Sequence, residues 1–130
     1  MWIAPAGFGY MYWTAIDVSP FTRRRCRLFG YFDVDVIRFE AQESQMKIPH
    51  MGWNTISLNK ESFIPNSLNG KYVYYVHSYY VPVNEYTIAQ TDYIIPYSAA
   101  LNKDNFYATQ FHPEKSGDIG EQILKSFIEL

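Results

Sequence analysis

Apolar and polar positions alternate with a period of two over several short stretches of this 130-residue chain, and with a helical period only at its end. Phe32, Val34, Val36 and Arg38 alternate with Asp33, Asp35, Ile37 and Phe39, which predicts a strand with mixed faces. After a polar connector at 41–45, residues 47–56 form a short strand or strand-edge turn punctuated by Pro49 and Gly52, and residues 59–70 a loop or a poor helix. Val and Tyr run almost without a break through 71–82, as a strand covered on both faces requires. Residues 86–93 give the next strand, and 95–101 and 106–111 form a hairpin across 102–105. A helix closes the chain, with Asp118 as N-cap, Glu121 at the capping-box position, and Ile119, Ile123, Leu124, Phe127 and Ile128 as one apolar stripe. Residues 1–30 hold neither period for long.

Composition narrows the class. The length makes one domain at most. A net charge of −2 gives no electrostatic case for nucleic acid or an anionic membrane, with Arg23, Arg24, Arg25 and Arg27 as a local exception. The lone Cys26 precludes an internal disulfide and a cysteine-based metal cluster, and it suits a reducing, cytoplasmic setting. No apolar run approaches the ~20 residues that span a bilayer, and the N-terminus lacks the basic-then-apolar order of a signal peptide. Twelve Tyr suit strands whose faces meet both core and water.

Chemistry concentrates at Gln110-Phe111-His112-Pro113-Glu114-Lys115-Ser116-Gly117. In an extended segment residues two apart point to the same side, so Glu114 could orient the His112 ring while its other nitrogen faces a nucleophile. That is two thirds of a catalytic triad. The same spacing also suits a strand end carrying a structural histidine.

Three segments, in order, resemble one family. They are Pro49-His50-Met51-Gly52-Trp53-Asn54, Tyr75-Val76-His77-Ser78-Tyr79-Tyr80 and the His112 segment. Together they resemble the glutaminase subunits of imidazole glycerol phosphate synthase, class I glutamine amidotransferases of histidine biosynthesis, from about Phe32 to the C-terminus. The resemblance implies that His112 is the general base, taking a thiol proton and later giving one to departing ammonia, and that Glu114 orients it. It implies that His77, Ser78 and Tyr79 line the glutamine site. It implies that Trp53, Tyr74 and Lys115 lie near the contact with a cyclase subunit, through which ammonia passes in a heterodimer. No cofactor, metal, nucleic acid or membrane is implied. Read as residues alone, His50 suits a packed position, Trp53 a core one, and Tyr74 the face of a helix.

The nucleophile is where the chain departs from the family. There a cysteine sits at a strand-to-helix elbow, Gly-x-Cys-x-Gly, and no such motif occurs here; Cys26 lies among arginines without the flanking glycines. The genetic code offers a reason. Read one base later, Met11-Tyr12 (ATG-TAY) gives TGT, necessarily Cys, and Trp13-Thr14 (TGG-ACN) gives GGA, necessarily Gly. Gly9-Tyr10 permits a Gly two places earlier, Ala15-Ile16 and Ile16-Asp17 permit Gln-Leu, and 23–30 permit Glu-Gly-Asp-Val-Asp-Cys-Leu-Gly. Residues 1–31 therefore read as an aberrant, out-of-frame segment and 32–130 as a partial amidotransferase domain. The expected fold is α/β, the C-terminal half of a flavodoxin-like amidotransferase domain. Three functions stay open: a glutaminase feeding the cyclase, a non-catalytic module that docks on it, and a non-functional product of a damaged gene.

Overall fold

A computed structural model describes residues 1–5, 12–13, 23–28, 32–40 and 46–130. Eleven strands and one α-helix occur among them: β1 (Trp2–Pro5), β2 (Tyr12–Trp13), β3 (Arg23–Leu28), β4 (Phe32–Arg38), β5 (His50–Thr55), β6 (Ser57–Leu58), β7 (Tyr72–His77), β8 (Tyr79–Tyr80), β9 (Thr87–Tyr93), β10 (Ile95–Lys103), β11 (Phe106–Thr109) and α1 (Gly117–Ile128). Single 3-10 turns stand at Asn66–Leu68 and Pro113–Lys115. The connector expected at 41–45 lies outside the described residues, and of residues 6–31, expected to be out of frame, only backbone at 12–13 and 23–28 is described.

Strands order as β2-β1-β11-β10-β9-β6 in one sheet, β3-β4-β8 in a second and β5-β7 in a third. All the ladders among the described residues are antiparallel. For the β9-β10 and β10-β11 ladders the short connections explain why, since a tight turn can join only antiparallel neighbours. Ile94 alone separates β9 from β10, and Asp104-Asn105 joins β10 to β11, with Asp104 in the left-handed region at φ 53°. The hairpin over 102–105 is thus where the sequence puts it. Sheets and a packed terminal helix give the expected α/β class.

The burial pattern of β4 follows its alternation: Phe32, Val34 and Val36 enter the core while Asp33 stays exposed. They form a smaller cluster with Val81, Leu101 and Ala108. The main core gathers Phe39, Ile56, Ile64, Val73, Tyr75, Tyr97, Ala99, Phe111 and Ile123 between β5-β7, β9-β10 and α1. Phe63, Tyr107 and Phe127 meet edge to face, at ring separations of 5.0 to 5.8 Å, and seat the helix.

Two expectations are corrected. The 71–82 run is not one strand covered on both faces, because it breaks at Ser78: β7 pairs with β5, β8 crosses to β4, and Tyr72 is exposed. The helix starts earlier than Asp118, with Ser116 at the N-cap. Of the apolar stripe, Ile123 and Phe127 are buried, whereas Ile128 lies on the last turn and is 75% exposed.

Candidate functional site

His112 ends the run out of β11 and opens the 3-10 turn Pro113–Lys115. Its Nδ1 lies 2.8 Å from Glu114 Oε1. A carboxylate can only accept, so Nδ1 carries the hydrogen, and Nε2 is the ring nitrogen that can take up a proton. The side chains do meet, but through the tight turn that Pro113 initiates rather than along an extended strand. The His112 ring is largely buried and Glu114 half exposed.

Backbone and hydroxyl bonds stitch this turn to β7. His112 N–H donates to the Tyr74 carbonyl at 2.9 Å. Ser116 Oγ accepts from Tyr74 N–H at 3.0 Å and donates to the His112 carbonyl at 2.6 Å. The hydroxyl at the helix N-cap is therefore spent on the turn rather than on the helix's own N–H groups. The helix itself presses against the turn at Gly120, where a Cβ would stand 1.8 Å from the Pro113 carbonyl oxygen. Sequence reasoning passed over Ser116. The signal was present in a serine just ahead of the apolar periodicity, but Asp118 and Glu121 made the stronger capping box.

His77 lies at the end of β7, opposite His50 on β5. Its Nδ1 is 2.8 Å from the Tyr79 carbonyl oxygen and its Nε2 is 3.1 Å from the Tyr97 hydroxyl, so both ring nitrogens are engaged within the protein. The Tyr97 hydroxyl also lies 3.0 Å from His50 Nδ1. His50 is a packed histidine, stacked on Tyr93 at 3.7 Å and on Tyr75 at 4.8 Å. Burial pulls His77 down to about 3, with the bond to the Tyr79 carbonyl opposing it and His50, the amino terminus and His112 adding to it. Burial likewise pulls His50 down to about 4 and pushes the Tyr75 and Tyr97 phenols up. Both imidazoles are therefore neutral at pH 7. Ser78 is held through its carbonyl, which accepts from Phe39 N–H at 2.9 Å, and Tyr79 stands in β8 against β4. Tyr97 carried no motif; its signal is a lone aromatic among the small residues of β10.

Trp53 and Tyr74 are ladder partners whose rings meet edge to face at 5.8 Å. Trp53 is 55% exposed, not core. Together with exposed Met51 and Tyr72 it gives the outer side of β5-β7 an apolar surface, and exposed Lys115 stands in the adjoining turn. No group of three or more His, Cys, Asp and Glu side chains among the described residues could hold a metal ion. No described helix is long and apolar enough to cross a membrane.

Residues 25–130 match the glutamine amidotransferase class-I family. The chain is 61% identical over 101 residues to imidazole glycerol phosphate synthase subunit HisH of Bacteroides fragilis, covering 78% of this chain and 52% of that one. The subunit of the same description from Buchnera aphidicola is 48% identical over 105 residues, covering 80% and 53%. That of Escherichia coli O157:H7 is 44% identical over 104 residues, covering 79% and 52%. The chain spans about half the length of these curated relatives.

Proposed function

The chain belongs to the class-I glutamine amidotransferase family, and from that premise we propose that residues 32–130 carry the base, the orienting acid, the glutamine-site segment and the partner face of a glutaminase of histidine biosynthesis. The observation that supports it best is the 2.8 Å contact between His112 Nδ1 and Glu114 Oε1 inside a segment that matches the family. In the reaction, a thiolate attacks the side-chain amide carbon of glutamine. Ammonia leaves with a proton from His112 Nε2, and water then releases glutamate from the thioester, with His112 as base. Glu114 holds the ring in the tautomer this needs and stabilises the imidazolium that forms when His112 takes the thiol proton and again when it takes a proton from water. Ser78 and Tyr79 supply polar partners to the amino-acid end of the substrate. The Trp53, Tyr74 and Lys115 face docks on the cyclase, and ammonia passes there.

This polypeptide does not present the thiol in Gly-x-Cys-x-Gly, so His112 has no nucleophile to activate, and residues 1–31 carry that region in a shifted frame. What remains is binding without turnover, of glutamine along 77–79 and of the cyclase by docking, the latter favoured by the exposed Trp53, Met51 and Tyr72. Size-exclusion chromatography with purified cyclase should show co-elution, and an assay of ammonia release from glutamine, with the cyclase and its nucleotide ligand present, should show no turnover. Turnover that vanishes in Cys26→Ser would contradict the account of the nucleophile. For the frame, the gene should show a one-base offset near codon 31, and a locus without one would contradict that part.

A further inference from the structure

The hydrogen bonds around Tyr97 run in one direction only, and elementary donor counting sets it. The Tyr79 carbonyl can only accept, so His77 Nδ1 must carry its hydrogen. In a neutral imidazole the other nitrogen is then a bare acceptor, so in the bond between them Tyr97 donates its single hydroxyl hydrogen to His77 Nε2, a stronger acceptor than the Tyr75 oxygen that also faces the Tyr97 hydroxyl. With that hydrogen spent, the Tyr97 oxygen can only accept from His50, so His50 Nδ1 carries a hydrogen as well. The chain reads His50 Nδ1–H to Tyr97 O–H to His77 Nε2, then His77 Nδ1–H to the Tyr79 carbonyl.

Its members come from three strands. His50 lies on β5, His77 on β7 and Tyr97 on β10. Rigid packing holds each one: Tyr97 is fully buried, and His50 is 3% exposed and clamped between the Tyr75 and Tyr93 rings. Tyr97 also meets the His77 ring edge to face at 5.1 Å. Next to His77 the chain bends at Ser78, where β7 leaves one sheet and β8 enters another. A fixed hydrogen-bond direction feeding into a bend sets the bend's backbone.

We propose that Tyr97 is a positioning residue: its hydroxyl fixes the tautomer of His50 and, by donating to His77 Nε2, anchors the ring whose Nδ1–H holds the Tyr79 carbonyl, and so shapes the 77–79 backbone that receives glutamine. The substrate named here rests on the preceding reading of that segment. The His77 side chain then acts on the substrate indirectly, because neither ring nitrogen is available to a ligand. Orienting partners of this kind fix the ring that in turn fixes the site.

Ring nitrogen–proton correlations of the 15N-labelled full chain at pH 7 test this. Wild type should show both His50 and His77 as neutral Nδ1–H tautomers. This measurement alone decides the direction of the chain, even if the variant below does not fold. In Tyr97→Phe, His77 should keep its Nδ1–H, since the Tyr79 carbonyl still demands it, while its Nε2 signal moves on losing its donor. His50 should lose its single tautomer. The Ser78 and Tyr79 amide signals should shift, and their response to added L-glutamine should weaken by about tenfold. A wild-type His77 with Nε2–H, a His50 unchanged in Tyr97→Phe, or a glutamine response equal in the two proteins would overturn the proposal. Wild-type amides that ignore glutamine would instead overturn the reading of 77–79 as a glutamine site. The tautomers and the amide shifts would then still decide whether Tyr97 positions that backbone.

Discussion

Ser116 uses one hydroxyl twice, accepting from Tyr74 N–H and donating to the His112 carbonyl, in a position only 1% exposed. Its removal leaves a buried N–H and weakens the hold on a buried carbonyl, each costly without water to replace it. Ser116→Ala should therefore lower unfolding free energy by about 2 kcal/mol in urea titration, and a loss within ~0.5 kcal/mol would show the hydroxyl idle. His50 and His77 give a second residue-level expectation. Both have folded values, about 4 and about 3, below the ordinary 6.5. Below pH 6.5 the unfolded chain binds more protons than the folded one, so stability is full above that pH and falls as acid is added. The decline approaches ~1.4 kcal/mol per pH unit per ring and levels off once the pH passes below the folded values. A urea midpoint that is flat from pH 7 to 4.5 would contradict it. At this scale the sequence is informative about chemistry and silent about wiring. His112 and Glu114 were legible from their spacing, though a turn rather than a strand brings them together. Tyr97 was not legible, because its role depends on β5, β7 and β10 converging, and no local pattern records that.

The elements were legible where local patterning and packing agree. The β9, β10 and β11 hairpins follow from alternation and turn residues, and α1 follows from its apolar stripe. The break at Ser78 was hidden because the Val and Tyr run is equally good in either sheet, and tertiary pairing alone decides where β7 ends. The helix boundary was hidden for a related reason, as Ser116 serves the His112 turn and Asp118 looks like the better cap. Gly120 shows how tightly that helix and that turn are joined. In an open helix Gly→Ala stabilises by up to ~1 kcal/mol. Here a Cβ 1.8 Å from the Pro113 oxygen must push α1 away from the turn. Gly120→Ala should instead destabilise by about 3 kcal/mol or more, read as a fall in Tm. A raised Tm would show that the contact yields easily.

At the scale of the whole molecule, the described part of the chain brings the His112 turn, the 77–79 bend and the exposed side of β5-β7 onto one continuous piece of structure, linked through Tyr74 and the ladder partners His50 and His77. The sequence segments that carry the family resemblance are the same three pieces. The family's Gly-x-Cys-x-Gly was legible only as an absence, and the residues proposed to carry it in a shifted frame fall mostly outside the described residues. The chain covers about half the length of its relatives, so the decisive experiment supplies the other half. Residues 32–130 would replace the corresponding part of the Bacteroides fragilis subunit, which is 61% identical. Ammonia release from glutamine would then be measured with the cyclase and its nucleotide ligand present. The expected result is turnover by the chimera that falls at least about a hundredfold in His112→Gln. A folded chimera that docks on the cyclase without releasing ammonia, or one indifferent to His112→Gln, would contradict the assignment of His112 as the glutaminase base.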